Sequence, residues 1–328
     1  MQKTKILILR FSSIGDIVLT TPIIRCLKQQ VPDCELHYFT KKQFHTVIQH
    51  NPYIDKIHLL DDNMSELITE LKNEKFDYVI DLHKNQRTWL LKFRLGVKSF
   101  TFDKINREKF LITKLKIDVL PKEHIVDRYF EAVQKINVKN DEQGLDYFVA
   151  ENDYVDLKKY DIENGTKFIA IAIGAQHATK RLPTNKLIEI CKKINSQVIL
   201  LGGPTDVTTG IEIANACKSN VINLCGELTL NQSAFVIKHA YKIITHDTGL
   251  MHIAAAMKKP IVSVWGNTIP QFGMYPYYGN EIIESKIVEV KNLSCRPCSK
   301  LGYNKCPKYH FDCMNKIDVN EVVLFSND

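Results

Sequence analysis

The sequence predicts an α/β protein of two Rossmann-like halves, and three observations carry that prediction. Short β-rich runs alternate with amphipathic stretches along most of the chain, which is βαβ logic and implies parallel sheets. The 328 residues exceed one ordinary hydrophobic core. A polar stretch, Asn137-Val138-Lys139-Asn140-Asp141-Glu142-Gln143-Gly144, interrupts the alternation and puts the domain junction within 138–165.

In the first series, strands are expected at Ile6–Arg10, Glu35–Thr40, Lys56–Leu60 and Tyr78–Leu82. The alternation then fades through a basic region and recovers in an apolar-periodic helix expected from His124 to Ile136. The second series places strands at Phe168–Ile173, Gln197–Leu201, Val221–Leu224, Lys242–Thr245 and Ile261–Val264. Helices are expected near Thr184–Ile194, Leu230–His239 and Leu250–Met257. A closing helix over Val319–Phe325 has no partner that the sequence specifies. Domains of 1–150 and 151–328 follow, the second including a Cys-rich segment at 295–313.

Composition narrows the class. A chain 45% hydrophobic and 25% charged is that of a soluble globular protein. The apolar strand after Met1-Gln2-Lys3-Thr4-Lys5 is too short for a signal-peptide core, and no apolar run approaches the ~18 residues of a membrane span, so a cytoplasmic protein is expected. There the nine cysteines are expected as thiols or metal ligands rather than disulfides. Residues 84–139 carry 14 Lys/Arg against 6 Asp/Glu, a local excess that accounts for the whole net charge of +7 and points to an acidic partner.

Chemistry concentrates at the turns that follow the strands, where open α/β sheets bind ligands. The stretch Thr245-His246-Asp247-Thr248-Gly249-Leu250-Met251-His252 passes from strand to helix through Asp-Thr-Gly. Unpaired N–H groups and the positive end of the helix dipole favour an anion there, and Gly249 lets the backbone come close. A plain βα turn capped by Asp247 or Thr248 would use the same residues. In Gly174-Ala175-Gln176-His177-Ala178-Thr179-Lys180-Arg181-Leu182-Pro183, the cations Lys180 and Arg181 beside a helix start suit a diphosphate, or a solvated loop. Gly202-Gly203-Pro204 and Gly226-Glu227-Leu228 are turns open to a nucleoside, or ordinary punctuation of the fold.

The first half differs. Its opening turn, Arg10-Phe11-Ser12-Ser13-Ile14-Gly15-Asp16, has a lone glycine followed by an aspartate. That arrangement suits a base better than a pyrophosphate site, with a helix-start acid as the alternative role of Asp16.

Together these segments resemble glycosyltransferase family 9, the group containing the ADP-heptose:lipopolysaccharide heptosyltransferases. The resemblance runs in order through ILILRFSSIGDIVLTTPIIRCLK, DLHKNQRT, HIVDRYFEAV, GAQHATKRLP, LLGGPTD, LCGELTL and THDTGLMHIAAAMKKPIVSVWGNTIP. It implies a GT-B architecture, two Rossmann-like domains facing each other across a cleft, with acceptor on the first and nucleotide-sugar on the second. The implied reaction is an inverting transfer of heptose or a related sugar from a nucleoside-diphosphate sugar, ADP-heptose in the family's commonest case, to a lipopolysaccharide core acceptor.

By the same resemblance Asp16 is the catalytic base and Lys180 the cation beside the diphosphate. Donor contacts are expected from Thr179, Glu227, Asp247, Thr248, Gly249, Met251 and His252, although a histidine on such a helix also suits a purely structural role. On the acceptor side Arg10, Asn85, Arg87 and Arg128 are partners for phosphate or carboxylate groups, or parts of a solvated basic face. No obligatory metal or other cofactor is expected, because Lys180 and a helix N-terminus can stabilise the leaving group and no DxD motif occurs in a suitable loop. Cys295, Cys298, Cys306 and Cys313, with His310 between the last two, have a spacing that suits a structural zinc or a small thiol-rich loop.

Two other functions stay open at this level. A nucleotide-sugar epimerase of the same architecture needs no acceptor surface, and the basic region argues against it. A basic nucleic-acid-binding protein would interleave aromatics with its cations, yet Trp89, Phe93, Phe100 and Phe102 are spaced for packing, so no nucleic-acid partner is expected. The basic region, with Lys92, Arg94, Lys98, Lys104, Arg107, Lys109, Lys114 and Lys116, is expected to give peripheral contact with the inner face of the inner membrane, where a lipid-linked oligosaccharide acceptor resides.

Overall fold

The computed structural model describes residues 3–60, 64–163, 165–217 and 220–327. The chain forms two compact units. The first comprises Met1–Ile105, Glu123–Phe148 and Gly279–Glu281, and the second Asn106–Lys122, Val149–Tyr278 and Ile282–Asp328.

The first unit is built on five parallel strands: β1 (Thr4–Leu9), β2 (Cys34–Lys41), β3 (Lys56–Leu60), β4 (Tyr78–Asp81) and β5 (Ser99–Thr101), in the order β3-β2-β1-β4-β5. Ile6, Leu7, Ile8 and Leu9 of β1 are fully buried, as expected of a central parallel strand covered on both faces. Leu7, Leu9, Phe11, Phe39, Val79 and Leu91 belong to one core cluster. After β3 the chain returns to the other side of β1. The sheet therefore reverses its order between β1 and β4, and the carboxyl ends of those two strands form the switch point at which such sheets bind ligands.

The second unit repeats the plan with β6 (Phe168–Ala172), β7 (Gln197–Leu201), β8 (Val221–Asn223), β9 (Lys242–His246), β10 (Ile261–Trp265) and β11 (Ser285–Glu289). The order is β11-β10-β9-β6-β7-β8, all parallel, and the reversal lies between β6 and β9. The closing helix Val319–Asn327 packs on this unit, with Val319, Val322 and Val323 in its core beside Leu187 and Ile190 of the Thr184–Lys193 helix.

Three sequence expectations are corrected. The helix expected over 124–136 ends at Phe130, and only a 3-10 turn at Gln134–Ile136 continues it. The edge strands β5 and β11 lack a sequence counterpart, because each sets exposed residues beside a single buried side chain, Phe100 in one and Val288 in the other. The segment 106–122 lies in the second unit rather than in 1–150, because Ile112 and Leu120 pack with Ile269 and Phe272. Apolar burial here overrides position along the chain. Among the described residues no helix is long and apolar enough to cross a membrane.

Candidate functional site

At the switch point of the first unit, the turn after β1 begins with Arg10, whose guanidinium is buried and directed inward. Its Nε donates to Ser12 O at 2.8 Å, and Nη1 donates to Leu82 O at 2.5 Å and to the Tyr129 hydroxyl at 3.0 Å. Nη2 lies 2.6 Å from Asp16 Oδ1. The other carboxylate oxygen accepts from Ser13 Oγ at 2.7 Å and from Ser13 N at 3.2 Å. Both oxygens of Asp16 are thus oriented by protein donors, while 24% of the side chain remains accessible. A carboxylate so held is a prepositioned proton acceptor.

The segment after β4 completes this end of the sheet. Asp81 Oδ1 accepts from the backbone N–H groups of His83 and Lys84 at 3.0 and 2.8 Å, and Oδ2 lies 2.8 Å from Lys92 Nζ. The resulting turn presents His83, whose ring packs on Phe11 at 5.0 Å. Burial, reinforced by the positive charges of Arg10 and Lys104, pushes His83 down to about 4, so the ring is neutral near pH 7. Its Nδ1 is buried without a hydrogen-bond partner among the described residues.

Of the four residues expected on the acceptor side, only Arg10 reaches Asp16, and its bonds make it a positioning group rather than a free ligand. Asn85 caps the Gln86–Leu95 helix, its Oδ1 accepting from Thr88 N at 2.9 Å. Arg87 is exposed in the first turn of that helix. Arg128 is 2% exposed on the Ile125–Phe130 helix, and burial lowers its pKa.

At the switch point of the second unit, the segment after β6 lies beside the turn after β9. Lys180 Nζ reaches Asp247 Oδ2 at 2.5 Å and Asp247 O at 3.2 Å. The same Oδ2 accepts from Thr268 Oγ1 at 2.8 Å. Thr248 is the N-cap of the Gly249–Ala256 helix in extended conformation, with no side-chain cap bond. An ammonium beside a helix N-terminus is a combination suited to an anion.

The scaffold under this corner is polar and specific. His246 Nε2 accepts from Leu182 N at 2.9 Å, tying the Lys180 segment to β9, and burial holds that imidazole down at about 4. Arg181 donates to Ala175 O at 2.7 Å and pairs with Asp206 at 3.1 Å. Gly174 permits this arrangement, since a Cβ there would sit 2.2 Å from Asp206 Oδ2. Arg181 is therefore a loop anchor, whereas Lys180 points to the Asp247 turn.

The remaining donor-side expectations divide. Thr179 is 2% exposed, and its hydroxyl donates to Tyr303 O at 3.1 Å and accepts from Tyr303 N at 2.8 Å, which removes it from the list of open phosphate donors. Met251 and His252 are 0% and 2% exposed, inside the fold beneath the helix start. Glu227 is exposed and stands beside the Tyr160 phenol, whose pKa burial, with Glu227 adding to it, raises.

The Cys-rich segment serves as a clasp. Arg296 donates to Gly266 O at 2.6 Å and Thr268 O at 2.9 Å, and Cys298 N donates to Asn267 O at 3.1 Å. Lys116, from the 106–122 segment, donates to Cys295 O and Pro297 O at 3.1 and 2.7 Å. Cys295 Sγ is 3.9 Å from His310 Nε2, but no three sulfur or imidazole atoms of the cluster converge within 4.8 Å of one another among the described residues. The geometry does not gather Cys295, Cys298, Cys306 and Cys313 into a zinc cage. Burial raises the thiols of Cys298 and Cys313, to about 11 and about 12.

The expected basic face is also divided. Lys92, Lys104 and Lys116 are engaged with Asp81, with the carbonyls of His83 and Lys84, and with Cys295 and Pro297, and residues 106–122 belong to the second unit. Sequence reasoning missed His83, Tyr129 and Thr268. The switch-point rule would have flagged His83, which lies two residues past β4.

The chain is similar in sequence and fold to several known proteins. The lipopolysaccharide heptosyltransferase 1 of Campylobacter coli is 25% identical over 317 residues, covering 88% of this chain and 92% of that protein. The lipopolysaccharide heptosyltransferase 2 of Escherichia coli is 24% identical over 296 residues, covering 82% and 84%. Among solved structures, a glycosyl transferase family 9 protein of Veillonella parvula superposes with a TM-score of 0.78 at 19% identity, covering 99% of this chain and 97% of the other. The ADP-heptose lps heptosyltransferase II of Escherichia coli does so with 0.74 at 21%, covering 99% and 98%. The family model described as glycosyltransferase family 9 (heptosyltransferase) matches residues 64–304, well over half of the sequence. The chain belongs to glycosyltransferase family 9 and is a glycosyltransferase of GT-B architecture.

Proposed function

We propose that the chain transfers a heptose from ADP-heptose to a lipopolysaccharide core acceptor with inversion at the anomeric carbon. The observation that carries this reading is the contrast between the two switch points. One holds a carboxylate oriented by Arg10 and Ser13, and the other holds Lys180 against the turn that starts the Gly249–Ala256 helix.

In this mechanism Asp16 takes the proton of the acceptor hydroxyl as that oxygen attacks the anomeric carbon. The bond to the diphosphate breaks on the opposite face, and Lys180 together with the Thr248 and Gly249 N–H groups stabilises the charge gathering on the leaving group. Lys180 exchanges Asp247 for the diphosphate, which frees Asp247 and Thr268 for sugar hydroxyls. Glu227 accepts from the ribose, while Met251 and His252 support the nucleotide from beneath. The acceptor lies against the His83 turn and Arg87. No metal takes part in the step.

The nucleotide-sugar epimerase and nucleic-acid readings find no support in the family match. We place the enzyme on the cytoplasmic side of the inner membrane, in peripheral contact with it. The Gln86–Leu95 helix supports that contact by exposing Trp89 and Phe93 at 64% and 73% beside Arg87 and Arg94.

A thermal-shift panel tests the donor. ADP should stabilise the protein by about 2.7 kcal/mol at one hundred times its dissociation constant, with UDP, GDP and CDP weaker at equal concentration. Stronger stabilisation by any of the other three would overturn the ADP assignment.

A further inference from the structure

Away from both switch points, the first unit buries a pair of histidines that no part of the transfer reaction uses. His37 on β2 and His58 on β3 are 1% and 2% exposed. Phe39 is the partner of His58 in the register, so His37 and His58 stand two residues apart on one face of adjacent strands. Phe76 closes over both rings edge-on, at 5.1 and 6.3 Å.

The pair forms a hydrogen-bonding row of three contacts. His37 Nε2 faces Glu35 Oε1 at 3.1 Å, His37 Nδ1 faces His58 Nε2 at 2.9 Å, and His58 Nδ1 faces Glu70 Oε1 at 3.0 Å. Two neutral imidazoles bring two N–H groups to these three contacts, and ionised carboxylates bring none. If the outer nitrogens donate to Glu35 and Glu70, the inner nitrogens confront each other as two lone pairs. One ligand atom from each of His37, His58 and Glu74 lies within 4.8 Å of the others.

We infer that His37, His58 and Glu74 form a binding site for a divalent transition metal of the zinc type, with Glu35 and Glu70 as the carboxylates that orient the two imidazoles. A cation between the inner nitrogens resolves the row completely. Both outer N–H groups donate to carboxylates, both inner lone pairs coordinate, and Glu74 supplies a third, anionic ligand. Imidazole and carboxylate together suit zinc and its neighbours. Lys5 and Lys56 hold Glu74 at 3.2 and 2.5 Å, and each has a second carboxylate in reach, Glu35 at 3.1 Å and Glu70 at 3.4 Å. Glu74 can therefore turn to a cation while both ammonium groups stay paired. The ion would pin β2 and β3 to the segment that carries Glu70 and Glu74.

Cobalt(II) is the probe of choice for the full-length, chelator-treated protein, because its spectrum separates nitrogen and oxygen ligands from the thiolates of the Cys-rich segment. One equivalent should bind with visible d–d absorption and no thiolate charge-transfer band, and a Cys295→Ser/Cys298→Ser variant should bind it unchanged. Glu70→Gln should weaken binding 10- to 100-fold, as removal of an orienting carboxylate does elsewhere. Glu74→Gln and His58→Gln should each weaken it at least tenfold. Glu74 is only partly buried, so that variant keeps the test available if His58→Gln fails to fold. Absence of a thiolate-free cobalt site, or a site of unchanged affinity in Glu74→Gln, would overturn the inference.

Discussion

Replacing Asp16 by Asn tests the proposed mechanism most directly, because the amide keeps the shape of the side chain and removes its basicity. A missing general base costs about 10² to 10⁴ in kcat, or roughly 3 to 5 kcal/mol of barrier at 1.36 kcal/mol per decade. The structural cost should be much smaller. Removing one partner of a buried ion pair costs up to about 3 to 5 kcal/mol, but Asp16 is 24% accessible and the Asn amide oxygen still accepts from Arg10. Arg10 also retains its bonds to Ser12 O, Leu82 O and Tyr129. A stability loss of about 1 to 2 kcal/mol is therefore expected, with nucleotide binding nearly intact. Release of nucleoside diphosphate in the presence of acceptor reads the chemistry, and thermal unfolding with and without ADP reads the fold. Turnover within threefold of the parent would return Asp16 to the role of a helix-start acid. Loss of ADP binding in parallel with activity would mean that the substitution had damaged the scaffold.

Lys180→Ala should raise the dissociation constant for ADP and lower kcat together, since the ammonium meets the diphosphate in the ground state and more strongly as it departs. Calorimetry showing parental ADP affinity would reduce Lys180 to a partner of Asp247. Acid should destabilise the protein between about pH 6.5 and 4. His83 and His246 are held at about 4 when folded and titrate near 6.5 when unfolded, so the unfolded chain binds more protons in that window and stability is lost as pH falls through it. Urea midpoints at pH 7 and pH 5 check this, and equal midpoints would contradict the neutral assignment of both rings. Replacing Trp89 and Phe93 by Ser and Arg87 and Arg94 by Glu should abolish sedimentation with anionic liposomes at low salt, and unchanged sedimentation would exclude this helix as the contact.

The interior of each sheet was legible because a parallel strand covered on both faces reads as a continuous apolar run, and Gln197–Leu201 coincides with β7. The edge strands β3 and β8, mostly half-buried, were legible too, whereas β5 and β11 set exposed residues beside a single buried side chain, Phe100 and Val288, and left no trace. The positions of Asp16, Lys180 and Asp247 were legible because their turns follow strands at the reversal of each sheet. Arg10, Asn85 and Thr179 misled for a shared reason. A cation, an amide and a hydroxyl look alike in sequence whether they face a ligand or satisfy the backbone, and only geometry shows that these three are engaged within the fold. The histidine pair went unremarked because its members, 21 residues apart in sequence, meet only through the pairing of β2 with β3.

The placement of residues 106–122 has a consequence for synthesis. Ile112 and Leu120 emerge from the ribosome about 150 residues before Ile269 and Phe272, the side chains they pack against. At elongation rates of about 5 to 20 residues per second, that segment waits roughly 8 to 30 seconds for its partners. In the other direction, the first unit includes Gly279–Glu281, where Asn280 N donates to Glu142 O at 2.8 Å, and these residues arrive only after most of the second sheet. The two units therefore cannot mature strictly in the order in which they are made. A cut at the 148/149 junction would strip each product of a piece that the other carries, and dissection of this enzyme into separately expressed halves should yield poorly soluble chains unless both are made together.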